Sequence, residues 1–257
     1  MTLSPLHSAA SPANQIIDPY LACVAGEPSG DMLAASVLAG MKHLSSTSTI
    51  PTRGVGGPKM IAEGFNALWP METLAVRGYI EALKQLPAIL KVRNALIHEL
   101  MKNRPLAYLG IDAPDFNLGI ERKLKSVGIP TIHFISPSIW AWRGERIHKI
   151  KESVDRMLCI FPFEPAIYEK EGMRATYVGH PLASSIPLTP DITSARNKLG
   201  ISHEKALIAV LPGSRQSEID LIGPRFFDAI ELMYKKHGAD IEFIVPIATA
   251  AVPIMAW

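Results

Sequence analysis

The sequence predicts an α/β protein made of two doubly wound parallel-sheet units, the second of them incomplete. Three observations predict it. From Tyr20 onward, short β-rich runs alternate with helical stretches. The runs are continuously apolar rather than alternating, as strands covered by helices on both faces are. The polar motifs that suggest chemistry stand directly after these runs, where ligands bind in open α/β sheets.

Taken in order, YLACVAG (20–26) is a first strand, followed by a Gly/Ser turn and a helix with Leu33, Val37 and Met41 on one face. LAYLGID (106–112) leads into the helix NLGIERKLKSVG, TIHFISPSIWAW (131–142) into ERIHKIKESV, and RMLCIF (156–161) into EPAIYEKEG. ATYV (175–178) is a further strand. ALIAVLPGS (206–214) precedes a helical stretch ending near Lys236, and IEFIVPIA (241–248) is the last strand. Pro87 and Pro224 fall inside helical patterns, so each is expected to kink a helix or to begin a new one.

These elements imply a loose polar leader at 1–17, an amino-terminal domain at 18–184, a linker at 185–195 and a partial second domain at 196–257. The linker assignment rests on the Ser-, Thr- and Pro-rich stretch Ala183–Ser194. The apolar ending ATAAVPIMAW lacks the turn and polar-faced helix expected after a strand.

At 257 residues the chain suits one large domain or two ordinary ones, and with 48% hydrophobic and 19% charged residues it reads as globular. A net charge of +2 argues against nucleic acid as a partner. The most apolar long stretch, Leu74–Met101, is broken by Arg77, Glu81, Lys84, Lys91, Arg93 and Glu99; it suits a core or a membrane surface rather than a span. Cys23 and Cys159 sit in apolar runs and read as buried reduced thiols. The leader lacks a charged start and an apolar segment, which predicts a cytoplasmic protein.

Five motifs can carry chemistry. In Gly26-Glu27-Pro28-Ser29-Gly30-Asp31, glycines allow close approach and a helix amino terminus favours an anion such as a sugar phosphate. Ser29 and Asp31 equally suit plain capping of that helix. In Gly110-Ile111-Asp112-Ala113-Pro114-Asp115-Phe116-Asn117, Asp112 stands nearest the strand tip, where a carboxylate can take a proton from a sugar hydroxyl or orient it. Asp115 and Asn117 are placed to cap the next helix. Trp140 and Trp142, followed by Arg143 and Arg146, offer a sugar or acyl platform with a phosphate partner, or else core packing. His180 of Gly-His-Pro precedes the linker and is structural or lines a cleft. In Leu211-Pro212-Gly213-Ser214-Arg215-Gln216-Ser217-Glu218, the amides of Gly213 and Ser214 with Arg215 can cradle a diphosphate, and Glu218 can cap a helix or reach a ribose. The sequence contains no DxD, HExxH or CxxC spacing for a metal and no GxSxG elbow for a nucleophile.

In this order AGEPSGD (25–31), GVGGPKMIAEG (54–64), GIDAPDFN (110–117), SPSIWAWR (136–143), FPFE (161–164), VGHPL (178–182) and LPGSR (211–215) resemble the lipid-A-disaccharide synthases. The agreement runs from about Leu21 to Pro246. The resemblance implies a GT-B glycosyltransferase of two Rossmann-like domains, inverting and without metal or other cofactor. It implies transfer of 2,3-diacylglucosamine from its UDP derivative to 2,3-diacylglucosamine 1-phosphate, releasing UDP, in lipopolysaccharide biosynthesis at the cytoplasmic face of a Gram-negative inner membrane. On that reading Asp112 is the base; Glu27, Ser29, Asp31, Trp140, Arg143 and His180 serve the acceptor, and Gly213, Ser214, Arg215 and Glu218 serve UDP. A homo-oligomer is left open. Family members are longer, so the 257-residue chain alone is expected to turn over weakly or not at all. Two other readings compete: an enzyme like UDP-N-acetylglucosamine epimerase, and a non-catalytic fragment that binds lipid or phosphosugar.

Overall fold

A computed structural model describes residues 18–44, 50–74, 79–213 and 216–246. The predicted leader, Ser214, Arg215 and the apolar ending lie outside these residues. Two compact units are built around residues 18–74 with 84–185, and around 79–83 with 186–246.

The first unit runs β1 (Leu21–Ala25), α1 (Pro28–Leu44), β2 (Thr52–Gly56), α2 (Pro58–Ala62), β3 (Asn66–Pro70), α3 (Tyr79–Lys102), β4 (Ala107–Ile111) and α4 (Pro114–Lys125). It continues with β5 (Thr131–Phe134), α5 (Arg146–Ser153), β6 (Arg156–Cys159), α6 (Pro165–Lys170), β7 (Arg174–Tyr177) and α7 (Pro181–Ser185). Its seven strands are all parallel, in the order β3-β2-β1-β4-β5-β6-β7. The doubly wound expectation therefore holds, and the winding direction reverses between β1 and β4.

Both faces of the sheet are dry, which is why its strands carry no polar alternation. Ala22 and Val24 of β1 pack with Val92, Leu96 and Leu100 of α3 and with Ile120 and Leu124 of α4. The intervening Cys23 and Ala25 face Leu33, Ala34 and Leu38 of α1, with Val37 and Met41 partly buried against them. A third cluster joins Ile147 and Ile150 of α5 to Met157, Cys159 and Tyr168. Cys23 and Cys159 are buried free thiols, as expected. Truncating a fully buried side chain such as Leu96 would cost about 2–5 kcal/mol.

The alternation read from the sequence omitted β2 and β3. Their sequences, TRGVG and NALWP, lack the continuous apolar runs that marked the other strands. Neither proline begins a new helix: α3 contains Pro87, and the helix Gln216–His237 of the second unit contains Pro224.

The second unit comprises α8 (Ile192–Leu199), β8 (Ala206–Ala209), α9 (Gln216–His237) and β9 (Ile241–Ile244). β8 and β9 pair in parallel, Ala206 opposite Ile241. Asp191 caps α8, its carboxylate accepting from the Ser194 N–H at 2.9 Å. Leu221, Leu232 and Tyr234 of α9 are exposed. Among the described residues no helix is long and apolar enough to cross a membrane.

Candidate active site

The reversal between β1 and β4 opens a crevice outside their carboxyl ends, the expected ligand position in such a sheet. The turn after β1 holds Gly26, Glu27 and Ser29; the turn after β4 holds Asp112 and Ala113. The two turns touch. A methyl group added to Gly26 would stand 3.8 Å from the Ala113 Cβ and 3.3 Å from Leu74 Cδ1, and one on Gly30 would stand 3.6 Å from the Ile111 carbonyl. Two motifs more than eighty residues apart thus meet in one place.

Asp112 lies at the tip of β4 with φ 54°, and Ala113 follows with φ 44°. Both are left-handed, a conformation that costs a residue with a Cβ about 1–2 kcal/mol. The Asp112 N–H donates to the Phe134 carbonyl at 2.9 Å. Its carbonyl accepts from Asn117 Nδ2 at 2.7 Å, and Asn117 Oδ1 accepts from the Tyr108 hydroxyl at 2.7 Å. The half-buried Asp112 carboxylate takes no hydrogen bond or ion pair among the described residues, so it is available to a ligand.

The capping expected of Asp115 and Asn117 does not occur. Ala113 is the N-cap and has no side-chain cap bond. Asp115 is exposed and pairs with Arg146. Asn117 is fully buried and directed back onto the turn.

On the β1 side, Glu27 and Ser29 are exposed at the start of α1. Asp31 is different. Only 1% exposed, its carboxylate accepts from the backbone N–H groups of Gly57, Lys59 and Met60, each at 3.0 Å. It therefore caps the neighbouring α2 rather than α1, and both its oxygens are engaged. The sequence reading placed it among the acceptor contacts; its carboxylate instead fixes the GVGGPKM loop.

The ends of β5 and β6 carry an aromatic surface. Trp140 and Trp142 are 49% and 60% exposed, so neither is core. Trp140 meets Phe163 edge to face at 5.2 Å, and Phe163 stacks on Phe161 at 5.6 Å. The Arg143 guanidinium lies 4.3 Å over the Trp142 ring. Ser136, which starts this loop, is tied to the buried Tyr168 hydroxyl at 2.7 Å, and buried Glu164 accepts from the Phe161 N–H at 3.0 Å. Phe161 and Phe163 were not singled out from sequence, although the FPFE spacing was their signal.

His180 Nδ1 accepts from the Leu182 N–H at 3.1 Å, a local bond at the start of α7. In the second unit Gly213 has φ 125°, and a Cβ there would stand 2.6 Å from Glu218 Oε2. Only glycine lets Glu218 fold back onto the loop. A cleft of 680 Å³ lies at the opposite, amino-terminal edge of the strands. There Lys125 is spent on the carbonyls of Lys151 and Val154 and on Asp155, which makes it a structural clamp.

Fold and site together define an α/β protein of the GT-B class. The chain belongs to the lipid-A-disaccharide synthetase family, whose model matches residues 21–254. It is 57% identical over 231 residues to the lipid-A-disaccharide synthase of Burkholderia thailandensis, covering 90% of this chain and 59% of that protein. It is 58% identical over 231 residues to that of Paraburkholderia phymatum, covering 90% and 59%. The chain thus spans about three fifths of the length of these curated relatives. Among solved structures it resembles the UDP-GlcNAc 2-epimerase of Neisseria meningitidis bound to UDP-GlcNAc, with TM-score 0.57, 10% identity, and 90% of this chain and 66% of that chain covered. Arabidopsis thaliana UGT89C1 complexed with UDP gives TM-score 0.54 and 15% identity, covering 90% and 66%. At such identities the likeness is one of fold.

Proposed function

We propose that the chain carries the acceptor side of a lipid-A-disaccharide synthase. The protein transfers 2,3-diacylglucosamine from its UDP derivative to 2,3-diacylglucosamine 1-phosphate, forming a β-1,6 link and releasing UDP. The observation that carries the reading is the Asp112 carboxylate, unpaired among the described residues, outside the ends of β1 and β4 in a chain belonging to this family. Asp112 accepts the proton of the acceptor hydroxyl as that oxygen attacks the anomeric carbon from the face opposite UDP, which inverts the centre. Glu27 and Ser29 contact the acceptor sugar or its phosphate. Trp140, Phe163 and Phe161 offer an apolar surface to its acyl chains, with Arg143 at their edge. In the second unit, the loop of Gly213, Ser214 and Arg215 meets the diphosphate, whose departure favours cationic and N–H partners. Acylated substrates place the enzyme on the cytoplasmic face of the inner membrane.

The test is a transferase assay with both acylated substrates. It compares this chain with a version completed by the remaining residues of the Burkholderia thailandensis relative, each with and without Asp112→Asn. Disaccharide from the completed chain, lost by about 10²–10⁴-fold in the variant, is the expected result. Binding of the acceptor without turnover by either form would favour a non-catalytic role, and turnover of free UDP-N-acetylglucosamine alone an epimerase. Nothing beyond fold likeness supports the latter.

A further inference from the structure

We infer that Asn117 is the positioning residue that aims Asp112, with Tyr108 setting the direction of its amide; this rests on Asp112 acting as the base. Asn117 is fully buried, sits in the first turn of α4, and is separated from Asp112 by one helical turn. Its Nδ2 donates to the Asp112 carbonyl at 2.7 Å and lies 3.5 Å from that of Ile111. One amide thereby grips the last residue of β4 and the first of the left-handed pair. Such a turn is intrinsically unfavourable at Asp112 and Ala113, and neither is glycine. Without a donor inside the turn, the Asp112 carbonyl would be left without this bond, and the turn would relax toward ordinary φ, swinging the carboxylate off the crevice.

The amide of an asparagine can be rotated by half a turn, which would point an oxygen at the Asp112 carbonyl and repel it. Tyr108 prevents this. Its hydroxyl, buried on β4, donates to Asn117 Oδ1 at 2.7 Å and so fixes which end faces Asp112. Gly110 between them is part of the same device. A Cβ there would stand 3.0 Å from the Asn117 Cβ and 2.3 Å from Glu121 Oε1, so no side chain leaves room for the helix to bring Asn117 this close.

The experiment uses the completed chain and a double-mutant cycle. Asn117→Ala is expected to lower kcat by about 10²-fold, with KM for both substrates changed less than about threefold, since a misaimed base still binds substrate. In an Asp112→Asn background the same change is expected to have almost no further effect. Ala113→Gly, which removes the left-handed penalty at one position, is expected to return kcat severalfold to the Asn117→Ala protein. Tyr108→Phe keeps the ring and deletes only the hydroxyl; it is expected to lower kcat with a smaller loss, and it decides the matter by the same cycle if Asn117→Ala does not fold.

Multiplying rather than overlapping losses of Asn117→Ala and Asp112→Asn would overturn the inference and leave Asp112 as base. So would a loss appearing in KM alone. Full activity of Asp112→Asn would overturn both readings together.

Discussion

Replacing Asp31 by Asn separates a structural carboxylate from a ligand-binding one. Asp31 Oδ1 accepts from Gly57 and Met60, and Oδ2 accepts from Lys59. An asparagine can keep two of these bonds through its oxygen, but they lose the charge that roughly doubles the strength of such contacts. Its NH2 group then faces the Lys59 N–H, donor against donor, at a side chain only 1% exposed. A buried unsatisfied donor costs about 1–3 kcal/mol, and the weakened bonds add to it, for a total of about 2–5 kcal/mol. In a unit of this size that is a fall in Tm of roughly 5–15 °C. The assay is thermal unfolding together with hydrogen exchange resolved to the peptide spanning 57–62, where protection should drop first because the first turn of α2 opens. Unchanged Tm and unchanged protection at 57–60, with loss only of acceptor binding, would refute the reasoning and return Asp31 to the crevice.

Gly110→Ala should destabilise the first unit by about 1–3 kcal/mol in urea unfolding, because its Cβ would stand 2.3 Å from Glu121 Oε1; a neutral result would mean that α4 moves freely. Burial pushes the Cys23 thiol up to about 12, from 9 in an exposed setting. The unfolded chain therefore loses this proton first as pH rises. The associated stability is fully present below pH 9 and lost between there and about 12, at about 1.4 kcal/mol per pH unit. Urea midpoints at pH 8 and 10 should diverge more for the native chain than for Cys23→Ala, and parallel profiles would contradict the assignment. Trp140→Ala should change stability by only about 1 kcal/mol, the scale of its edge-to-face contact with Phe163. Titration calorimetry should show weaker binding of 2,3-diacylglucosamine 1-phosphate but not of glucosamine 1-phosphate; equal losses would remove the acyl role.

How much of this was legible from sequence depended on whether the cause was local. Strands such as LACVA and AYLGI announced themselves because burial on both faces leaves no room for polar alternation. TRGVG and NALWP did not, since β3 is an edge strand and both interrupt their apolar residues with Thr, Arg, Gly, Asn or Pro. The place of Asp112 at the tip of β4 was legible because a residue directly after a buried strand stands at its carboxyl end. Asp31 was misassigned because its partners are 26 to 29 residues away, and no spacing rule links a helix to the loop after the neighbouring strand. Asn117 was read as a cap from its place in the first turn, whereas its burial turns the amide inward. The stacking of Phe161, Phe163 and Trp140 joins two loops and needed the fold to bring them together.

The non-glycine residues in left-handed conformation among those described are Asp112, Ala113, Ile135 and Arg143, and all follow β4 or β5. Ile135, at φ 80°, is the least favourable because it is β-branched. Such residues persist only where surrounding bonds over-determine them. Here the bonds are visible: Asp112 N–H to Phe134, Asn117 to the Asp112 carbonyl, Ile135 N–H to Leu158, and Ser136 to Tyr168. Asp112 and Ile135 are thus fastened to neighbouring strands and to α4, so the rigidity of the core is what holds their unfavourable backbone. The strain falls between the proposed base and the aromatic surface proposed to meet the acyl chains. A substitution deep in that core, Tyr108→Phe among them, should therefore act on the aim of Asp112 through the Asn117 amide and the backbone it holds, without touching substrate.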